Sequence, residues 1–227
     1  MREKTKVVFV SLPNKASIEQ MANAAEKAWK AVKAEKIINK NSLVAIKQHF
    51  GEEGSPNYVP AHVTKTIGEC IREAGGKPFV TDSNTLYNGQ RANAVDHLEV
   101  ARKHGFSHEM LGFPIIIADG LRGESQVAID GKWGVLKKVF LAGAASMADA
   151  SVVITHVTGH MLSGMGASIK NVAMGFAGRA GKLQQHHAAA PIFSKSKCKA
   201  CGRCVKHCPA SAIDLKEYAV VNVEKCI

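Results

Sequence analysis

Leu43-Val-Ala-Ile-Lys47, then Ile67, Cys70, Ile71 and Ala74 at helical spacing, then Gly75-Gly76 and Pro78-Phe-Val-Thr81: this stretch decides the fold. It reads strand, helix, strand. Residues 61–74 predict a helix closed by the glycine pair, and the apolar runs on either side predict strands. Upstream, residues 7–12 predict another strand. Residues 17–37 predict an amphipathic helix with Ile18, Met21, Ala25, Ala28, Trp29 and Val32 on one face. Ser17 and Gln20 have the spacing of a capping box at its start. Downstream, residues 93–104 predict a helix that stops at Gly105, and residues 115–118 a strand. Residues 127–136 predict a hairpin turning at Asp130-Gly131, a pair suited to a type I′ turn. A short strand at 139–141, a small helix through Ala145 and Met147, and a buried strand over 151–156 complete the series.

Strands alternating with helices argue an α/β fold, a largely parallel sheet with flanking helices. Ligands of such sheets sit outside the carboxyl ends of the strands. His49, Asp82, Asp119 and His156 each follow a predicted strand, so they are expected at that edge.

Hydrophobic residues make up 46% of the 227-residue chain, enough for a buried core and too many for a disordered polymer. The longest apolar runs fall well short of the roughly 18 residues that span a bilayer. The N-terminal run at 7–10 is too short for a signal-peptide core. The expectation is a cytoplasmic protein with no membrane partner. The net charge of +11 raises the question of nucleic acid. However, much of the excess lies along one helix (Lys27, Lys30, Lys33, Lys36, Lys40), where a solvated face accounts for it. More surrounds a cysteine cluster (Lys195, Lys197, Lys199, Arg203, Lys206). Nucleic-acid binding is therefore not expected.

Five of the six cysteines fall between positions 198 and 226. Cys70 stands apart and reads as a small core residue. Clustered cysteines favour metal over a disulfide scaffold. The run Cys198-Lys-Ala-Cys201-Gly-Arg-Cys204-Val-Lys-His-Cys208-Pro209 has the C-x2-C-x2-C-x3-C-P spacing of bacterial ferredoxins. Thiolates two residues apart can wrap one inorganic cubane, and Gly202 allows the turn between them. Zinc is the competitor, but its sites usually use two separated ligand pairs. A 4Fe–4S cluster is the expected cofactor. Its negative charge suits the surrounding cations, which could also dock an acidic redox partner. In two-cluster ferredoxins the fourth cysteine of such a run serves the other cluster. On that pattern Cys198, Cys201 and Cys204 hold one cluster, and Cys208 and Cys226 belong to a second. Cys226 lies where a second run would begin, so the chain reads as C-terminally truncated, with one or two clusters in the full-length protein. The expected division is an α/β domain over 1–194 and an incomplete ferredoxin-type module over 195–227, with a linker at 182–197.

A second dense segment is Thr155-His156-Val-Thr-Gly159-His160-Met-Leu-Ser-Gly164-Met-Gly166-Ala-Ser-Ile-Lys170-Asn171, followed by Lys182 and His186. Glycines allow close backbone approach to a ligand. Histidines and lysines can hold an anion, a metal or an acid–base pair. Helix packing alone could also explain the glycines. His156, His160, Lys170, Asn171 and His186 are the candidate catalytic residues, and Gly164, Gly166 and Lys182 the candidate cofactor-binding ones.

Thr81-Asp82-Ser83, Tyr87-Asn-Gly-Gln-Arg91, His104-Gly105-Phe106, Ile117-Ala-Asp119-Gly120, Ala148-Asp149, His156-Val-Thr-Gly-His160, Ile169-Lys170-Asn171, Met174-Gly175, Gly181-Lys182 and the cysteine run together resemble the domain-of-unknown-function 362 family. That resemblance implies an iron–sulfur protein of mostly anaerobic bacteria and archaea with a ferredoxin-type module, and it implies no particular reaction. The spacing His160, Lys170, His186 is also similar to that of nickel-pincer lactate racemases, in which the lysine carries the cofactor and the last histidine binds nickel. It implies that the three share one cleft. The expected function is an electron-transferring iron–sulfur oxidoreductase. The alternatives are a non-enzymatic electron carrier or maturation factor docking an acidic partner, and a nickel-pincer-like racemase or other non-redox catalyst with structural clusters.

Overall fold

The computed structural model describes residues 5–87, 89–133, 136–160, 163–186, 191–208, 211–223 and 225–226. After helix α1 (Ile18–Val32), β1 (Leu43–Gln48), α2 (Ala61–Glu73) and β2 (Lys77–Asp82) form the strand–helix–strand unit expected from the sequence. Then come α3 (Ala94–Lys103), the single turn α4 (His108–Leu111) and β3 (Ile115–Ile117). An antiparallel ribbon, β4 (Gln126–Trp133) with β5 (Leu136–Ala142), and the short α5 (Gly143–Ser146) lead into β6 (Ala150–Ile154). The four strands β3, β2, β1 and β6 lie side by side in that order, all parallel.

From Val44 to Gln48, every residue of β1 is buried, because the sheet is covered on both faces. Alternation along the strand divides the work. Val44 and Ile46 join Trp29 of α1 and Ile67 and Ile71 of α2 in the main core. Gln48 points the same way and accepts a 3.1 Å hydrogen bond from the Thr64 hydroxyl of α2. Lys47 points to the opposite face, where α6 (Ser168–Gly175) lies across β1 and β6. Cys70 is buried in the main core, as expected.

Between β6 and α6 stands a small hairpin, β7 (Thr158–His160) with β8 (Gly164–Gly166). After α7 (Arg179–His186), the cysteine region carries α8 (Arg203–His207) and a hairpin of β9 (Ile213–Leu215) with β10 (Ala219–Val221). No helix among the described residues is long and apolar enough to cross a membrane.

Several expectations need correction. Residues 7–12 form no strand; Val7 and Phe9 are exposed, with no neighbouring strand among the described residues to supply hydrogen bonds. The first helix stops at Val32, because Lys33 adopts the left-handed conformation (φ 56°) and a 3₁₀ turn follows over Ala34–Ile37. Its capping box is present as expected. Asp130-Gly131 makes no turn: β4 runs through it to Trp133, and the ladder absorbs the pair as a register irregularity. The strand expected at 139–141 is part of β5. The last parallel strand ends at Ile154, so Thr155 and His156 stand just beyond it. The expected linker is helical over its first residues, with Lys182 buried inside α7.

Candidate functional site

Chain order across the sheet reverses between β1 and β6. β2 and β3 extend the sheet to one side of β1, and β6 starts the other side. Such a reversal opens a crevice at the carboxyl ends of the two central strands. A cavity of about 600 Å³ lies there. Lys47 and His49 enter from β1, Asp82, Ser83 and Asn84 from the end of β2, and Thr155 and His156 from the end of β6. Thr158, His160 and Gly166 of the hairpin and Lys170, Asn171 and Met174 of α6 form one wall, with Lys182 and His186 of α7 behind.

The floor is a lattice of buried charge. The Lys47 ammonium lies 3.0 Å from Asp82 Oδ1 and donates at 2.6 Å to Asn171 Oδ1. Asp82 Oδ2 faces Arg91 Nη1 at 3.5 Å and His97 Nε2 at 3.8 Å. Arg91 in turn pairs with Glu52, and its Nη2 donates at 2.8 Å to the Tyr87 hydroxyl, which donates at 2.5 Å to Glu52. Burial alone would raise the Asp82 carboxyl, but Lys47, the two histidines and Arg91 outweigh it and hold the group well below the ordinary carboxylate range. Burial lowers the Lys47 ammonium. His49 and His97 are each pushed down to about 4, chiefly by burial, so both are neutral at pH 7.

A second buried pair sits beside the first. Lys182 Nζ donates to Ser83 Oγ at 2.8 Å and to the Ala177 carbonyl at 2.6 Å, and lies 3.3 Å from Asp119 Oδ2. All three N–H directions of that ammonium are thus used within the chain. Burial lowers Lys182 and raises Asp119, while their attraction opposes both shifts. Asp119 Oδ1 accepts from the backbone and side-chain N–H of Asn84, both at 2.9 Å.

The sequence-derived candidates converge in part. His156, His160, Lys170, Asn171, His186, Gly166 and Lys182 all line the one cavity, which brings His160, Lys170 and His186 together. Gly164 lies in the hairpin outside that lining. Asn171 serves as a latch: besides accepting from Lys47, its side-chain amide donates to the Ile154 carbonyl at 3.0 Å and to Thr155 Oγ1 at 2.9 Å. Lys170 carries no hydrogen bond or ion pair among the described residues, so its ammonium is uncommitted.

Three histidines present defined ring nitrogens. His186 Nδ1 donates to the Lys182 carbonyl at 2.7 Å, which leaves Nε2 with a lone pair. His49 Nδ1 accepts from Gly51 N–H at 3.0 Å, and His160 Nδ1 accepts from Ser163 N–H at 3.2 Å. Their protons therefore sit on Nε2.

Sequence reading missed Lys47, Arg91 and His97 as site residues. A lysine closing an otherwise apolar strand was a usable signal, since a buried ammonium must find a partner. His97, at core spacing within α3, gave none.

In the cysteine region, Cys204 lies on α8 and Cys208 caps its end. Ala200 (φ 50°) and Gly202 (φ 70°) take the left-handed turns that carry the chain from Cys198 past Cys201. Cys208 Sγ accepts from Ala212 N–H at 3.3 Å, and Cys198 Sγ from Ala219 N–H at 3.4 Å. Hydrogen bonds from the backbone of Ala219 and Ala200 lower the Cys198 thiol, favouring the thiolate that ligation requires. Among the described residues no three His, Cys, Asp or Glu side chains converge on one metal ion. A cubane cluster makes no such demand, since each of its irons takes a separate thiolate. Thiols at ferredoxin spacing, with backbone N–H groups aimed at sulfur, fit such a cluster.

Fold and site together define a class: an α/β protein with a histidine- and lysine-lined cleft where its parallel sheet reverses, followed by a four-cysteine loop. The chain belongs to the family described as domain of unknown function (DUF362), whose model matches residues 44–224. The match takes in sheet, cleft and the cysteine run alike. Neither the curated proteins nor the solved structures gave a match.

Proposed function

We propose that this protein is an electron-transferring iron–sulfur oxidoreductase whose substrate occupies the cleft. The observation that carries this reading is adjacency: Thr85 and Leu86 line the cleft and also a second crevice that reaches Cys208. One segment of chain therefore separates the cysteine loop from the candidate substrate site. Cys198, Cys201 and Cys204 would hold one 4Fe–4S cluster, with Cys208 and Cys226 as donors to a second. A bound cluster supplies single electrons at a tunable potential.

The cleft residues supply binding and protons. Lys170 attracts an anionic group on the substrate, because its charge is not spent on the protein. As electrons arrive on the substrate, His186 takes a proton from solvent on Nε2 and passes it to the substrate, while the neutral His49 Nε2–H donates a hydrogen bond only. The Lys47–Asp82–Arg91 lattice fixes the floor on which these groups stand. Asn171 holds α6, and with it Lys170, against β1 and β6.

The test uses the full-length protein purified without oxygen. Iron and acid-labile sulfide analysis should find cubane stoichiometry, and Cys201→Ser should lose it. Reoxidation of the dithionite-reduced protein by a panel of small anionic acceptors is then followed by electron paramagnetic resonance. Lys170→Ala should abolish acceptor-dependent reoxidation while leaving the reduced-cluster signal intact. Unchanged reoxidation in that variant would establish an electron carrier instead. Stoichiometric zinc without sulfide would remove the redox reading altogether.

A further inference from the structure

The crevice beside Cys208, about 620 Å³ in volume, carries an unusual charge balance. Arg122 and Arg179 stand on the α/β side and Lys206 of α8 on the other. Inside the cleft, Lys47, Arg91 and Lys182 all have carboxylate partners. Here, none of the three cations makes a side-chain hydrogen bond or ion pair among the described residues. The one carboxylate among the described wall residues, Glu124, accepts from Leu121 N–H at 3.1 Å and Arg122 N–H at 2.6 Å, and these backbone hydrogen bonds, with the nearby Arg122 charge, lower it.

The two guanidinium-bearing segments are locked together by a built turn. Gly123 has φ +88°, and a Cβ there would lie 3.0 Å from Arg179 Cβ and 3.2 Å from Asp119 Oδ2. Only glycine lets the 120–124 loop lie this close to the start of α7. The Arg179 N–H closes the contact on the Gly123 carbonyl at 3.0 Å.

We infer that this crevice is a binding site for a small phosphorylated anion. Three cations against one carboxylate favour a ligand with two or more negative charges, and planar guanidinium groups suit phosphate oxygens in particular. The volume is that of a small-molecule site rather than of a flat docking surface. Anion binding in the crevice is independent of electron transfer in the cleft.

Inorganic phosphate and pyrophosphate are the probes, titrated into the full-length protein by calorimetry at low and high salt. Pyrophosphate should bind saturably at one site, more tightly than phosphate, and weaken as salt rises. Arg179→Ala should weaken it roughly tenfold or more, and Arg122→Ala and Lys206→Ala less, since Arg179 is half-buried and the other two side chains are exposed. Arg122→Gln and Arg179→Gln, with unfolding curves matching the parent, guard against a folding defect. Lys170→Ala should leave the affinity unchanged. An organic phosphate ester binding more tightly than pyrophosphate would identify a cofactor-like ligand, and equal affinity would identify a simple phosphate site. The proposal fails if pyrophosphate gives no saturable heat. It fails equally if the arginine variants bind normally or if Lys170→Ala abolishes binding, which would place the anion in the cleft.

Discussion

At the scale of single residues, Gly175 and Lys47 depend on each other. A Cβ at Gly175 would sit 1.7 Å from Lys47 Cε. Gly175→Ala must therefore push the buried lysine stem aside and pull its ammonium from Asp82 and Asn171. Breaking a buried ion pair costs about 3–5 kcal/mol. We expect a loss of that order in denaturant unfolding, against almost none for Gly159→Ala, where nothing lies within 4 Å. His97 gives a pH signature. Its ring faces Asp82 and meets the Phe50 ring in a T-shaped contact, with Arg91, His49 and Lys47 as nearby charges. It titrates near 4 when folded and near 6.5 when unfolded, so between those values the unfolded chain binds the extra proton. Stability is full above about pH 6.5 and declines as the pH falls toward 4, by on the order of 3 kcal/mol for this residue. His49 adds a loss of the same sign. Asp82 adds little above pH 4, because the unfolded carboxyl takes its proton only near 3.8; its contribution is lost below that, as the pH falls toward the low folded value. Thermal unfolding from pH 7 to 4 checks this, and His97→Phe should flatten the curve.

At the scale of elements, what could be read from sequence was what local periodicity dictates. Strand β1, helix α2 and strand β2 were legible because each has an apolar pattern of the right period and a clear stop. The misreadings came from tertiary context. Val7-Val-Phe-Val10 has strand composition but no neighbour to pair with. Asp130-Gly131 has turn chemistry, yet the longer β4–β5 ladder continues through it. His156, His160, Lys170 and His186 could be grouped because they lie close in sequence. Their link to Lys47 could not be foreseen, because Asn171 reaches it across 124 positions. Asn171 joins α6 to two strands, so Asn171→Leu leaves the Lys47 ammonium and the Ile154 carbonyl short of a partner each. The expected cost is about 2–4 kcal/mol in chemical denaturation. Limited proteolysis should then cut first within residues 156–175, as α6 lifts from the sheet.

At the scale of the whole molecule, sheet and cysteine region differ in what holds them. The parallel sheet is enclosed by Ile46, Ile71, Phe50, Phe106 and Phe113. Around the cysteines the fully buried side chains among the described residues are the small Ala212 and Ala219, too little apolar surface to order that segment strongly. If these cysteines hold the proposed cluster, exposure to oxygen and chelator should therefore unfold the cysteine region and spare the sheet. We expect most far-ultraviolet circular dichroism to persist while amide exchange accelerates across residues 198–223. Cys70 should stay closed to alkylating reagents until global unfolding.

The wall formed by Thr85 and Leu86 has a thermodynamic corollary. It is a party partition between two compartments, so a ligand that shifts it from one side alters the fit of a ligand on the other. Free energy is a function of state, and the influence must run both ways with the same factor. If phosphate in the crevice tightens a substrate in the cleft tenfold, that substrate tightens phosphate tenfold in return.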